Sequence, residues 1–558
     1  MDMLHFFLKL EAAALTTTVA LAATVGIEAG ALNRSSSLDT AFPEGGRTLV
    51  YCSEGAPAGF DIAQRGSSTD YTAVGGTIFN PLVQFKRGSS TTLEPALAER
   101  WDISPDGRVY TFILRHGVKF HTTPWFTPSR EFNAEDVVFT FKRMLDPNVP
   151  FRKAYPTGFP DVESFGFDNI GKVEAVGPAP SYTVRFTLKA PSAPFLSSLA
   201  VPTASIYSAE YADQLLKASK APEINQKPIG TGPFIFEKYV KDATITFKGN
   251  PDYWKPEEVQ LSKLVFAITP DAKVRVQKIK KNECQVMIAP PLESIAELKA
   301  NPQLQVVGGK NKDFTMSFLR YNVKHPPLGD VRVRRALDMV IDKKAIIDSV
   351  YFGHAQAAVA PLPPLQWAYD KSLKDAPRDF KKARTLLAQA GYPKGFSIAL
   401  WAPPGARPYN PNARLTAEFI QADWKKIGVH AKIVSYEWAE FLKRAWRGEH
   451  DAVLMGASGV NDPDIWLGGF ISCRSMHSGN FSQWCYKPFD DLIQQAVHTL
   501  NRKKRTALYL KAQKIFKDQQ PYTALAYPIS YTVLNKNVTG FKTYMFGTTV
   551  FYGVGLKQ

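Results

Sequence analysis

The sequence predicts a mixed α/β protein with more than one domain. At 558 residues, the chain is longer than a single hydrophobic core usually supports. The spacing of its apolar residues changes repeatedly between two, which is typical of half-buried strands, and 3.6, which is typical of amphipathic helices. The composition, 45% hydrophobic and 21% charged, is that of an ordinary globular protein. We therefore expect ordered domains rather than a disordered chain.

Residues 1–31 predict an export signal. AAALTTTVALAATVGIEAGA is small and apolar, ends in a pattern typical of signal cleavage sites, and is followed by polar NRSSS. We expect this signal peptide to be removed, which leaves a soluble protein outside the cytoplasm. Because the segment carries one lysine and two acidic residues near its start, an uncleaved membrane anchor remains the alternative.

Strand and helix patterns follow in turn. YTFILRHGVKF predicts a strand with a turn at Gly117, and SYTVRFTLKA alternates polar and apolar residues as a half-buried antiparallel strand does. Between them, NAEDVVFTFKRML predicts a helix with Asn133 as its N-cap. DVRVRRALDMVIDKKAIIDSVY, from 330 to 351, predicts one further helix.

The segment 396–464 predicts parallel strands joined by helices. FSIALW, a helix from about 412 to 427 that ends at Gly428, and VHAKIVSYEW form a strand-helix-strand unit. AEFLKRAWRG then leads to a third strand, DAVLMG, and to the loop ASGVNDPD. Ligands of open parallel sheets bind beyond the carboxyl ends of the strands. Arg407, Trp438 and the 457–464 loop all follow such ends.

The loop RPYNPNAR, at 407–414, is the first candidate site. Asn410 is a suitable N-cap and Pro411 a suitable first helical residue, so a helix would begin just after Arg407. A helix amino terminus beside a guanidinium group suits a carboxylate ligand. A surface arginine in a connecting loop is the alternative.

The four cysteines predict two disulfides, since their number is even and no CxxC pair is present. We pair Cys52 with Cys284 and Cys473 with Cys485; four buried free thiols are the alternative. The histidines lack a metal-binding spacing, and PIGTGPF lacks the Lys-Ser or Lys-Thr of a phosphate loop. We expect no metal and no cofactor.

The net charge of +17 favours acidic partners or an anionic surface. RKKR, at 502–505, begins the helix-like run RKKRTALYLKAQKIF, so we interpret it as a solvated helical face and expect no nucleic-acid partner. No GxSxG motif or catalytic cysteine pattern is present, and we do not expect an enzyme.

Six segments together resemble a known family. They are TLVYCSEGAPAGFD, ALAERWDISPDGRVYTFILRHGVKFH, NAEDVVFTFKR, PIGTGPF, ITPDAKVRVQKIKKNECQVM and RPYNPNAR. The chain, from about 48 to 558, resembles the dipeptide-binding branch of the family-5 extracellular solute-binding proteins of bacterial ABC importers. Related receptors in this family bind oligopeptides, haem or glutathione.

The resemblance implies a type II periplasmic-binding-protein fold, with two lobes that close on a cleft and an extra domain. Lobe I would comprise 46–78, 227–310 and 529–558, the extra domain II 79–226, and lobe III 311–528. The implied function is a monomeric receptor that captures short peptides and delivers them to the permease and ATPase subunits of an importer. A receptor for haem, glutathione or another acidic solute is the alternative.

The resemblance also implies which residues contact the ligand, because a bound peptide in this family runs like an added strand between the lobes. Arg407 would bind the carboxylate, with aromatic residues Tyr409 and Trp438 beside it; plain packing is the alternative for both aromatics. The residues beside the ligand backbone would be Gly66, Ser67, Ser68 and Thr69 on one lobe and the stretch from Gly456 through Ser458 to Gly459 on the other.

One departure concerns the ligand's amino group. Dipeptide receptors of the family carry an aspartate after Trp-Thr-Gly that binds this group, whereas this chain has Ala457-Ser458-Gly459-Val460 and a loop one residue shorter. An apolar valine cannot balance a buried ammonium. Two hypotheses remain: Asp462 replaces the missing acid, or the ligand has no amino terminus there. The smaller Ala457 also leaves room for a larger ligand.

Overall fold

The computed structural model describes residues 47–64, 67–89, 92–159, 161–309, 314–458, 462–476, 478–542 and 548–557. Their strands are β1 Thr48–Ser53, β2 Val83–Phe85, β3 Leu93–Pro95, β4 Ala98–Ile103, β5 Val109–Leu114, β6 Ile170–Ala175, β7 Thr183–Leu188, β8 Phe234–Val240, β9 Thr244–Gly249, β10 Lys263–Ile268, β11 Val286–Ile288, β12 Leu304–Gly308, β13 Thr315–Tyr321, β14 Ala355–Ala357, β15 Phe396–Trp401, β16 Val429–Val434, β17 Ala452–Ser458, β18 Tyr522–Pro528, β19 Tyr531–Asn535, β20 Val538–Thr539 and β21 Gly555–Leu556.

The α-helices alternate with these strands along the chain. They are α1 Ser68–Asp70, α2 Gly76–Ile78, α3 Ala134–Leu145, α4 Pro150–Ala154, α5 Asp161–Ser164, α6 Phe195–Leu199, α7 Ala209–Lys217, α8 Ala272–Lys280, α9 Ile295–Ala300, α10 Val331–Met339, α11 Lys343–Val350, α12 Phe380–Gln389, α13 Ala413–Lys425, α14 Trp438–Trp446, α15 Pro463–Phe470, α16 Lys487–Val497 and α17 Arg502–Gln519. In the described part of the chain, no helix is both long enough and apolar enough to cross a membrane.

Three sheets organise the molecule. A seven-stranded sheet has the order β12-β19-β11-β1-β10-β9-β8, a six-stranded sheet the order β14-β18-β13-β17-β15-β16, and a four-stranded antiparallel sheet the order β4-β5-β7-β6. The seven-stranded sheet takes its strands from three separated segments, 48–53, 234–308 and 531–535. The three sheets thus draw on the segments assigned to lobe I, lobe III and the extra domain. The exact domain boundaries remain predictions.

Both predicted disulfides are present. The Cα atoms of Cys52 and Cys284 are 5.7 Å apart, and this bond ties β1 to the segment that leads into β11 within the seven-stranded sheet. Cys473 and Cys485, with Cα atoms 4.6 Å apart, close a short loop between α15 and α16. The chain has no free cysteine, so the alternative of four buried thiols was wrong.

Several local predictions are confirmed. The N-cap of α3 is Asn133, whose side chain accepts a hydrogen bond from the Glu135 amide, while Asp136 accepts one from the Asn133 amide. β7 has alternating burial, as its sequence predicts. The single helix predicted over 330–351 was wrong, because Asp342 accepts a hydrogen bond from the Ala345 amide and caps a second helix, α11.

The six-stranded sheet is mixed, with β15, β16 and β17 parallel and the other pairings antiparallel, and both of its faces are buried. One face, with Leu319, Leu400 and Leu454, packs in an apolar cluster with residues of α10 to α13. The other face, with Phe318, Trp401 and Val453, packs with residues of α14 to α17.

Candidate ligand-binding site

β15, β16 and β17 end at one edge of the six-stranded sheet. β15 pairs in parallel with β16, with Trp401 opposite Val434, and in parallel with β17 on its other side. The predicted strand-helix-strand unit and its third strand are therefore confirmed. Because parallel strands end on the same edge, Arg407, Trp438 and Ser458 at the end of β17 are brought to one region.

The 403–412 loop has a tight internal turn. The amide of Arg407 donates to the carbonyl of Asn410 at 2.9 Å, and the amide of Asn410 donates back at 3.0 Å. α13 begins at Ala413 with Asn412 as its N-cap, so the prediction of Asn410 for this role was wrong. The Asn410 side chain instead accepts from the Asn412 amide, two positions on, and closes the turn before the helix starts.

The guanidinium of Arg407 lies flat against an aromatic surface. Its Cζ is 3.6 Å from the ring centroid of Trp438, which opens α14 and stacks on Phe441 with 5.8 Å between centroids. Cation–π contacts of this kind contribute about 0.5–2 kcal/mol. The Trp438 ring therefore serves as a platform for the cation.

The hydrogen-bond donors of Arg407 are largely unused. Its guanidinium makes one long hydrogen bond, to the Pro404 carbonyl at 3.4 Å, and its Nε is buried without a partner among the described residues. No described carboxylate forms an ion pair with it. Burial lowers the pKa of Arg407 from its ordinary value, since the charged form has lost water. An anionic ligand would supply the missing hydrogen bonds and charge.

Tyr409 is fixed against the neighbouring strand. A β-carbon added at Gly456 would lie 2.0 Å from Cγ of Tyr409, so the ring rests directly on the β17 backbone. The Tyr351 hydroxyl donates to the Tyr409 carbonyl at 2.8 Å. The Tyr409 hydroxyl is buried without a described partner, and burial raises its pKa to about 12. Sequence reasoning missed Tyr351, because nothing in its local pattern points to position 409.

Asp462 is already engaged within the protein. Nη2 of Arg505 donates to Oδ1 of Asp462 at 2.8 Å and to Oδ2 at 3.1 Å, and Nη1 also donates to Oδ2 at 3.1 Å. Asp462 is only 5% exposed and also caps α15 through the Asp464 amide. Binding a ligand amine would require it to leave a buried ion pair. The prediction of a solvated RKKR face was wrong for Arg505, which is buried, while Arg502, Lys503 and Lys504 are exposed.

The predicted backbone-contact residues use their side chains internally. The hydroxyl of Ser67 donates to Asp70 at 2.5 Å, that of Thr69 donates to Glu54 at 2.9 Å, and that of Ser458 is 2.8 Å from the Thr315 hydroxyl. Gly66, Gly459 and Val460, and the side chain of Ser68, lie outside the described residues.

A cavity of about 430 Å³ lies on the outer side of the same loop, between Pro403 and Ser435. None of the predicted ligand-binding residues lines it. No group of three or more potential metal ligands occurs in the part of the chain that the structure describes.

The chain matches known proteins over most of its length. Residues 92–478 match the family model of the bacterial extracellular solute-binding proteins, family 5 middle region. The di/tripeptide-binding protein 1 of Pseudomonas aeruginosa (strain UCBPP-PA14) is 52% identical over 512 residues, which cover 91% of this chain and 94% of that protein. The heme-binding protein A of Haemophilus influenzae is 40% identical over 550 residues, covering 98% of this chain and all of that protein.

A solved structure agrees with the fold. The dipeptide-binding protein of Pseudoalteromonas sp. SM9913, in complex with Met-Leu, superposes with a TM-score of 0.85 at 35% sequence identity, over 92% of this chain and 100% of that chain. The predicted periplasmic-binding-protein fold is therefore confirmed. The chain belongs to family 5 of the bacterial extracellular solute-binding proteins.

Proposed function

We propose that this protein is a periplasmic receptor that captures short peptides and delivers them to the permease of an ABC importer. The observation that carries the proposal is the Arg407 guanidinium, which is half-buried, stacked on Trp438 and without an ion pair to a described carboxylate. Relatives named for di- and tripeptides, and a similar structure that holds Met-Leu, support a peptide as the ligand.

In the proposed complex, the peptide carboxylate binds Arg407 and the peptide backbone lies between two stretches of the protein. Ser67 to Thr69 would lie on one side, and Gly456 to Ser458 on the other. Because the side chains of Ser67, Thr69 and Ser458 are engaged within the protein, the ligand would contact these stretches through backbone groups that are not already paired. Main-chain recognition of this kind tolerates many ligand side chains.

We also propose that the lobes close around the peptide by hinge motion at the segment crossings near 78, 227, 311 and 528. The ligand would stabilise the closed form by its higher affinity for that form. The receptor would act as an exported monomer whose signal peptide is residues 1–31, and it would do no chemistry on its cargo. The energy for transport would come from ATP hydrolysed by partner subunits.

Substitution of Arg407 tests the proposal. A charge-assisted hydrogen bond to a buried carboxylate contributes about 1.5–3 kcal/mol, so Arg407→Ala should weaken binding of di- and tripeptides by at least roughly tenfold in calorimetry. The matched control is Arg414→Ala, since Arg414 lies in the same segment but is exposed and pairs with Glu418 at 3.0 Å. Equal affinity of the Arg407→Ala variant and the wild type would refute this role.

A haem or another acidic solute is the second candidate cargo. It is favoured by the 40% identity to a heme-binding protein and by the net charge of +17, which would suit propionate groups. Mass spectrometry of whatever co-purifies with the exported protein separates the two candidates. A ladder of small peptides would support the main proposal, whereas a single porphyrin or thiol compound would support this alternative.

A further inference from the structure

The site needs a partner for the ligand's amino group, if the ligand is a peptide as proposed above. The described acids next to the 459–461 loop are Asp462 and Asp464, and both are paired with arginines: Asp462 with Arg505, and Asp464 with Arg474. Position 460, where the sequence resemblance implies an amine-binding aspartate, is a valine in this chain. A carboxylate from another part of the chain is therefore required.

Asp161, the first residue of α5, is such a carboxylate. Its Oδ2 accepts hydrogen bonds from the Tyr71 hydroxyl at 3.1 Å and from the Thr203 hydroxyl at 2.9 Å. These two hydroxyls are also 3.1 Å from each other, and Thr203 is fully buried. Its Oδ1 receives no hydrogen bond, and Asp161 forms no ion pair, within the described ranges. The residue itself is half-buried, so this oxygen is not sealed in the core.

Asp161 and its helix contact elements that are next in sequence to both stretches proposed to bind the ligand. On one side, its partner Tyr71 follows Thr69 by two positions. On the other side, α5 packs against α15, the helix that begins directly after the loop bearing Val460. The close contact of these helices is seen at Gly469, where an added β-carbon would lie 3.3 Å from the Ser164 carbonyl oxygen.

The electrostatic environment of Asp161 favours a cationic ligand group. Burial raises its pKa to about 6, and the two hydroxyl hydrogen bonds offset only part of this effect. Both neighbouring donors are neutral, so the carboxylate has no counter-charge from them. An ammonium group at the open oxygen would supply that charge, whereas a neutral amide would not.

We propose that Asp161 binds the amino terminus of the peptide, in place of the acid that is missing at position 460. The peptide would then be held at its carboxyl end by Arg407 of the predicted lobe III and at its amino end by the extra domain. Tyr71 and Thr203 act as positioning residues, because they orient the carboxylate from two different parts of the chain.

Calorimetry with Met-Leu and N-acetyl-Met-Leu tests this inference, which rests on the proposed function. The wild type should prefer the free dipeptide. Asp161→Asn, which keeps the shape of the side chain, should lose at least roughly tenfold affinity for Met-Leu and leave N-acetyl-Met-Leu unchanged. The control is Glu163→Gln, an exposed acid on the same helix, which should behave as the wild type. Thermal melts establish that each variant is folded.

A second variant keeps the test decisive if Asp161→Asn does not fold. Asp161→Glu retains the charge but moves it by one methylene group, so it should weaken Met-Leu alone. Equal weakening of both ligands would show a merely structural role and overturn the inference. If the wild type binds Met-Leu but neither Asp161 variant reduces its preference for the free amine, the inference fails while the proposed function stands. If the wild type binds no peptide, both fail.

Discussion

At the scale of single residues, the site depends on close contacts that leave polar groups unpaired. Arg407 rests on Trp438, and Tyr409 rests on Gly456. Nε of Arg407 and the hydroxyl of Tyr409 have no described hydrogen-bond partner. Buried donors without partners cost about 1–3 kcal/mol each. Ligand binding can recover this cost, which explains why such groups persist at a binding site.

Substitution of Gly456 should displace the Tyr409 ring. Because a β-carbon there would be 2.0 Å from the ring, Gly456→Ala should shift the 403–412 loop and lower peptide affinity by roughly tenfold, with a loss of stability of about 1–3 kcal/mol. Calorimetry and thermal unfolding measure the two effects. Gly158→Ala is the control, since a β-carbon there meets no atom within 4 Å. Wild-type affinity in Gly456→Ala would show that the ring position does not affect the site.

At the scale of elements, α15 is held by charged groups at both ends. Arg505 pairs with Asp462 at its start, and Nη1 of Arg320 donates to the carbonyl of Phe470 at its end at 2.6 Å. Burial lowers the pKa of Arg320 to about 10, although the rings of Phe318 and Tyr522 lie 4.3 and 5.0 Å from its guanidinium. A cation at a helix carboxyl terminus interacts favourably with the helix dipole. The helix after the proposed ligand loop is thereby fixed in position.

Breaking the buried pair at the start of α15 should be costly. Asp462→Asn leaves Arg505 buried without a counter-charge, so the free energy of unfolding should fall by about 3–5 kcal/mol in urea denaturation. Lys487→Ala is the control. It removes an exposed pair with Asp491, at 2.7 Å, and should change stability by no more than about 1 kcal/mol. Similar losses in both variants would argue against a special role for the buried pair.

At the scale of the whole molecule, the chain crosses between sheets at a few tightly packed points. One is the glycine-rich segment before β8, where the Gly232 amide donates to the Ile78 carbonyl at 2.8 Å. A β-carbon at Gly230 would be 2.1 Å from the same oxygen. His121, which lies between β5 and β6 of the four-stranded sheet in the sequence, also contacts this segment, with its Nε2 2.9 Å from the Gly232 carbonyl oxygen. These contacts couple the extra domain to a proposed hinge.

Acid should weaken this coupling. Burial lowers the pKa of His121 to about 4. As the pH falls, His121 therefore binds a proton near pH 6.5 in the unfolded chain, but only near pH 4 in the folded chain. The stability that neutral His121 contributes is therefore complete above pH 6.5 and is lost as the pH falls towards 4. It amounts to up to about 3 kcal/mol. The free energy of unfolding of His121→Gln should thus fall less steeply over this range than that of the wild type. Parallel pH profiles would contradict the assignment.

Sequence patterns correctly predicted the α/β class, the parallel strands around 396–456, the Asn133 cap and both disulfide pairs. The first three follow from local rules, because apolar spacing and capping depend on residues within a few positions of one another. The same rules misplaced the cap of α13 by two residues and missed the break at Asp342. In both places, a hydrogen bond from a backbone amide to a side chain, that of Asn410 or Asp342, set where the helix begins.

Which polar groups in the site are available for a ligand depends on contacts between distant segments. It joined Tyr351 to Tyr409, Arg505 to Asp462, and Asp161 to Tyr71 and Thr203. These partners lie 42 to 90 positions apart in the chain, and no spacing rule relates them. The sequence identifies which carboxylate and guanidinium groups are candidates for the site. Whether each is neutralised inside the protein or left for a ligand depends on how the separate segments pack together.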